Sequence, residues 1–454
     1  MHRLPTRFAA FAVTTMLFIT YAATAQSGFA PKNSDTARDQ RWNLHTQLTT
    51  VTQHNFGFAA KYAGQNSLLN TPQTETSVTA TFFAGVRLWR GAAVYINPEL
   101  SGGAGLSSTL GVAGFPNGET FRVGREKPEV YLARGFLQQY IALESDTETQ
   151  DDEANAVRMR IPKKYIRLTA GKFSVADFFD VNEYAHDART LFLNWSLMSH
   201  GAWDYPANVK GYTYGFVGEW TDGVQFVRAA YSMPPTDANG PELDPNIALA
   251  RSFTAEYDRT WTHDGAKLLR TVVTAFHTTT HMGNYAAATA LATPDITAVR
   301  AEGRTKYGFG VSLEREILTA AAPATSHSYV FLKGSWNDGA NETWAFTEID
   351  RSLAAGVSLA GNHWKRPDDR FGFAYVQNNI SQAHADYLAA GGYGFIIGDG
   401  ALHYAPEHII EAYYSFRLTN WCWVTPDAQL IINPAYNTDR GPVPVVAIRI
   451  HTEM

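Results

Sequence analysis

Arg87, Arg167 and Arg228 share one placement with Glu99, Glu219, Glu256, Glu348, Asp350, Glu411 and Asp427: each stands in a run where side chains of opposite character alternate, and Arg134 is assigned with them although its run, E-V-Y-L-A-R-G-F-L-Q-Q-Y, alternates poorly. Tyr95, Asn97 and Gln429 occupy the same kind of position. A guanidinium offers a fork of donors, a carboxylate offers only acceptors, and a sugar hydroxyl needs both. Tyr and Trp add flat apolar faces for a pyranose ring. A wall carrying both signs favours a neutral polar solute, whereas a phosphate pore would be dominated by Arg and Lys. The other reading of these charges is that they solvate a wet surface and pair with one another.

The alternation itself says which element carries them. From Trp42 the chain reads W-N-L-H-T-Q-L-T-T-V-T, which on a strand puts Trp42, Leu44 and Leu48 on one face and Asn43, His45 and Gln47 on the other. Similar runs predict strands at 42–53, 76–89, 93–101, 129–143, 163–172, 211–220, 223–232, 251–259, 268–279, 305–316, 328–337, 348–360, 369–378, 407–418, 421–432 and 443–454. About sixteen strands, an even number, with one greasy and one wet face predict an all-β fold: a closed antiparallel up-and-down transmembrane barrel spanning 42–454. A charge facing lipid near mid-bilayer costs about 2 to 4 kcal/mol, so the polar parity is assigned to the lumen. By that rule Val78, Ala80, Phe82, Val86 and Leu88 face out and Arg87 faces in.

Other features agree. Residues 1–25 have a basic start, an apolar stretch and Ala23-Thr24-Ala25, the pattern of a cleavable secretory signal, and 26–41 is expected as a periplasmic lead-in. With one Cys, Cys422, no intramolecular disulfide can form. Hydrophobic residues make up 45% of the 454-residue chain, yet no run after the signal is long and apolar enough to span as a helix. The net charge of −6 and the absence of a basic stripe argue against nucleic acid. Trp42, Trp89, Tyr140, Trp220, Trp336, Trp421 and Trp423 sit near predicted strand ends, where interfacial girdles would place them. Long connectors (54–75, 102–128, 173–210, 233–250, 280–304, 379–406) alternate with short ones such as 90–92, 221–223 and 419–420. The stretches 145–153 and 317–327 break this rule and are expected to be polar, mobile turns. At the C-terminus Val446, Ile448, Ile450 and Met454 share one parity and Arg449, His451 and Glu453 the other.

The connector at 173–210 is too aromatic to hang in water: Phe173, Phe178, Phe179, Tyr184, Phe192, Trp195 and Trp203 need cover. It is expected to fold into the barrel and narrow it, with Asp177, Asp180, His186, Asp187, Arg189 and Asn194 as polar edges beside Tyr184 and Trp195. Their alternative role is to staple the loop to the wall.

Three motifs carry no chemistry of their own. His277 and His281 would stand about 13 Å apart on a strand, too far to share a metal. The glycine-rich 391–400 lacks the Lys and Ser/Thr of a phosphate loop, and no G-x-S-x-G elbow is present. No catalytic residue, metal or cofactor is therefore assigned, and Cys422 is read as a small apolar strand residue.

The segment GKFSVADFFDVNEYAHDARTLFLNWS, with NPEL at 97–100, GVAGFPNGE at 111–119, SWNDG at 335–339, FTEIDRSLAAGVSL at 346–359, ADYLAAGGYGFIIGDG at 385–400 and NPAYNTDRGPV at 433–443, resembles the OprB-type carbohydrate-selective porins. The resemblance implies a sixteen-stranded outer-membrane barrel of Gram-negative bacteria passing monosaccharides, glucose above all, by facilitated diffusion. The alternative within this architecture is a general porin for small hydrophilic solutes. Expected partners are small neutral carbohydrates and outer-membrane lipid, with no nucleic acid. The apolar outer face is equally compatible with a monomer and a trimer.

Overall fold

The computed structural model describes residues 39–120, 127–263, 266–318 and 327–454; the expected export signal at 1–25 and most of 26–41 lie outside the described residues. In chain order the strands are β1 (Trp42–Asn55), β2 (Gln73–Trp89), β3 (Ala92–Gly103), β4 (Glu129–Ala142), β5 (Thr147–Gln150), β6 (Met159–Pro162), β7 (Tyr165–Phe173), β8 (Thr213–Thr221) and β9 (Gln225–Ser232). They continue as β10 (Arg251–His263), β11 (Ala266–Thr280), β12 (Arg304–Leu318), β13 (Ser328–Asn337), β14 (Arg351–Ala360), β15 (Arg370–Asn379), β16 (Glu407–Thr419), β17 (Cys422–Ile432) and β18 (Val443–Glu453). All but β5 and β6 form one closed barrel of sixteen strands. Closure comes from β1 against β18, in register from Gln47↔Glu453 to Asn55↔Val445, which leaves the barrel no free edge. Among the described residues no helix is long and apolar enough to cross a membrane.

Burial follows the period of two. On β2 Ser77, Thr79 and Thr81 are buried while Phe82, Val86 and Leu88 are exposed, and on β18 Arg449 and His451 are buried while Val446 and Ile448 are exposed. Trp42, Trp89, Trp220 and Trp421 stand on the outer face as a girdle requires. Tyr140 and Trp423 do not. Tyr140 is buried on the inner face against Tyr165, and Trp423 lines an inner cavity with Arg449 and His451. Parity decides this, because both side chains fall on the wet side of their strands.

Two expectations about connectors need correction. The stretch 145–153 is not a loose turn: it enters a hairpin, β5 paired with β6, that folds back over the inner face of β1–β4. Val157, Met159 and Ile161 give it a buried apolar side. The second exception, 317–327, falls mostly outside the described residues. At the other end the long loops carry three short helices, α1 (Trp195–Met198), α2 (Tyr285–Thr289) and α3 (Gln382–Ala389). Asn194, Asn284 and Ser381 cap them by accepting an amide hydrogen in the first turn.

Candidate functional site

Register turns scattered wall charges into a row. Arg167 on β7 faces Glu219 on β8, Glu219 faces Arg228 on β9, and Arg228 faces Glu256 on β10. Opposite charges directly across adjacent strands attract, and here they bond. Arg167 donates to Glu219 at 3.0 Å, Arg228 to Glu219 and, at 2.8 Å, to Glu256, and Arg270 grips Asp258 with two bonds of 3.0 and 2.8 Å. None of Arg167, Glu219, Arg228 and Glu256 lines the cavity beside Arg189 described below.

Several of the wall's other polar groups hold loops. The loop after β7, residues 174–212 and here called loop 3, lies inside the barrel. Its six predicted aromatics and Phe173 at the end of β7 are all buried, Phe178 being the most exposed at 7%. Glu411 accepts the amide hydrogens of Leu193 and Asn194 at 2.5 and 3.0 Å. Arg449 donates to the carbonyls of Ala188, Leu191 and Thr190, and Lys333 to the Asp180 carboxylate at 2.9 Å. Glu256 accepts from the Asp180 amide at 2.6 Å, so clamps come from opposite sides of the barrel. Burial works against the Asp180 charge, yet His200 and Lys333 beside it hold its carboxyl below the usual range. His200, 3.2 Å from Asp180, is pulled down to about 4 by burial. Its ring occupies the space over Gly310, where any Cβ would come within 2.3 Å.

Loop 2, between β3 and β4, also dips inward, which strand periodicity did not reveal. The Glu407 carboxylate accepts from the amides of Ala113 and Gly114, and Gln53 and Gln429 both donate to the Pro116 carbonyl. Phe115 then stacks on Trp195 of loop 3, with centroids 5.0 Å apart and planes 13° from parallel.

Between these loops and the wall runs a cavity of about 390 Å³. Its polar lining is concentrated at Arg189. That side chain donates to Glu119 of loop 2 at 2.8 Å and to Glu99 of β3 at 3.1 Å. Glu99 also accepts from Thr81, Tyr131 and Tyr212 at 2.6, 2.5 and 3.0 Å. Burial opposes the Arg189 charge, but Glu119 and Glu99 outweigh it and hold its pKa well above the ordinary value. Across from this cluster Arg134 makes a two-bond fork with Asp177, at 2.7 and 2.5 Å, and lies over the Tyr212 ring. The stacked Phe115–Trp195 pair and Tyr205 supply flat apolar surface on the same cavity. Donors and acceptors of both signs beside aromatic faces are what a polyol needs.

A family model described as Carbohydrate-selective porin, OprB family, matches residues 65–454. The chain belongs to this family. Among solved structures, OprB of Pseudomonas putida superposes with a TM-score of 0.67 at 15% identity, over 91% of this chain and 94% of that one. DcaP, an outer membrane channel of Acinetobacter baumannii, reaches 0.49 at 8% identity, over 91% and 97%. OmpT of Vibrio cholerae reaches 0.45 at 11%, over 91% and 99%. No functionally curated protein matches. Family and fold make the chain a carbohydrate channel of the outer membrane.

Of the side chains predicted from the sequence of this OprB-family porin, Arg134, Asp177, His186, Asp187, Arg189 and Trp195 line the cavity together. The wall residue Glu99 stands behind Arg189 as its counter-charge. Others sit elsewhere. Arg87 faces inward at the short-turn mouth, bonded to Asp39 and to the Gln40 carbonyl. Tyr95 is fully buried beneath the hairpin, its hydroxyl accepting from the Val157 amide. Asn97 is buried with its amide atoms unpartnered. Asp427 accepts from Gln429, which in turn accepts from Asn194. Tyr184 stacks on Tyr329 of β13, at 4.1 Å between centroids.

Glu348 and Asp350 require correction as wall residues. β14 begins at Arg351, so both precede the strand. Glu348 accepts the amide hydrogens of Phe395, Ile396 and Ile397, and Asp350 accepts from the Ser381 amide and contacts His384, so they anchor the loop after β15. Residue types alternate through this boundary, Glu348-Ile349-Asp350, but burial does not, since all three are buried. Conversely, Glu119 and Tyr212 were not anticipated. They precede or lie between strands, where alternation is silent, although Glu119 closes the GVAGFPNGE block.

Proposed function

We propose that this porin is exported by a cleavable signal at 1–25 and conducts neutral monosaccharides, glucose first among them, passively through the opening between loop 3 and the wall. The reading is carried by Arg189 held between Glu99 and Glu119 beside the Phe115–Trp195 stack, on one cavity. A ring sliding over the aromatic pair would exchange water for hydroxyl contacts with Arg189, Arg134 and Asp177, with His186 and Asp187 at the rim. Such contacts are numerous but individually exchangeable, which allows both entry and exit. The wall ladder of Arg167, Glu219, Arg228 and Glu256 is satisfied internally and serves to keep the lumen wet and the barrel round. Liposome swelling tests the proposal: proteoliposomes should swell faster in glucose than in a charged solute of equal size. Equal rates would leave only a general porin.

A further inference from the structure

The connector between β4 and β7 is longer than the fold requires. Residues 90–91 suffice to join β2 to β3, and 222–224 join β8 to β9, at the same end of the barrel. Here residues 143–164 do the work of such a turn, and their middle part is paired as a hairpin and bonded to the inner wall. The Asn43 side chain alone donates three bonds to it, to the Asp152 carboxylate at 2.9 Å and to the carbonyls of Glu153 and Ala156 at 3.0 Å. Gln40 and His45 reach the same carboxylate at 2.9 and 3.0 Å. Glu153 and Ala156 exchange backbone bonds of 3.0 Å, which closes a tight tip over Ala154 and Asn155, the latter at φ +60°. Beneath the tip the wall is carved to fit: a Cβ on Gly85 would come within 2.7 Å of Val157 and 2.3 Å of Asn43.

Ala154 and Asn155 line the same cavity as Arg189 and Trp195. The carbonyl oxygen of the Asn155 amide is buried without a partner. We propose that this hairpin is a second constriction, on the periplasmic side of loop 3, and that its tip sets the length of carbohydrate the channel releases. The size limit rests on the sugar-channel reading above. Two narrowings in series act differently from one. A single ring clears them in turn, whereas an oligosaccharide must thread both at once and lose the freedom of its linkages along the whole passage.

The experiment uses the intact barrel with Ala154→Cys in a Cys422→Ala background, so that one thiol is available. A bulky cationic methanethiosulfonate added from the periplasmic side should cut single-channel current by roughly half or more, as obstruction of a narrow point demands. Unchanged current after labelling confirmed by mass would overturn the constriction. In a second variant, a two-residue Asn-Gly turn replaces 147–162. It should raise the swelling rate in disaccharide relative to monosaccharide, and an unchanged ratio in a folded, heat-modifiable barrel would overturn the size limit. Glucose swelling of the unaltered porin separates the two readings. If glucose enters and position 154 is inert, the hairpin inference falls alone; if glucose does not enter, the size limit falls with the sugar-channel reading.

Discussion

Replacing residues 180–195 by a short polar linker is expected to raise single-channel conductance several-fold and to erase the preference for a monosaccharide over a charged solute of the same size. The expectation follows from where that segment is held. Lys333, Glu256, Glu411 and Arg449 hold it across the lumen from different sides of the wall. Its aromatics fill space that water would otherwise occupy, since Phe192 packs edge-on against Phe331 and Tyr413 of the wall. With the segment gone, the clamping side chains face a water-filled lumen and lose little, because solvation replaces each lost partner. Conductance in planar bilayers measures the result, and a value unchanged from the intact porin would show that loop 3 does not narrow the path.

Arg189→Ala is expected to act more locally and with a cost in stability. Glu99 and Glu119 would be left facing each other without the guanidinium that bonds both. Side-chain exposure is 12% for Arg189 and 0% for Glu99, so the pair is closer to a buried than to a surface ion pair. Removing one partner of such a pair costs about 3 to 5 kcal/mol, less whatever the adjacent water recovers. The barrel's thermal transition, followed by heat-modifiable mobility, should fall. The narrow part would also lose one positive charge, so the reversal potential in a salt gradient should move toward cation selectivity and glucose swelling should slow. Arg189→Lys keeps the charge but loses the fork, and should restore the reversal potential more fully than the sugar flux. A variant with the reversal potential of the intact porin would place Arg189 away from the conducting path.

The barrel was legible because two solvents write on it. Lipid outside and water inside force a period of two, and each barrel strand falls within four residues of its predicted bounds at either end. Parity also gave the direction in which Arg87, Glu99 and Glu411 point. It could not say what covers them. A side chain aimed at the lumen meets either water or a loop, and the choice depends on residues far away in sequence: Glu411 meets Leu193, Glu407 meets Gly114, and Tyr95 meets Val157. For that reason the predicted wall residues include Arg134 on the cavity itself but several loop anchors, Glu256, Glu348, Asp350, Glu411 and Gln429. Loop 3 was legible through its surplus of aromatics, whereas loop 2 and the β5–β6 hairpin carry no comparable excess and were seen only in three dimensions.

On the proposed function, Arg189, Arg134 and their partners hold solute while it passes. Single-channel current through the intact porin, recorded as glucose is added to both sides, tests it most directly. Current should fall saturably, because each bound ring displaces conducting water and ions from the narrow part. Current falling only as far as bulk solution conductivity does, with no saturation, would contradict it.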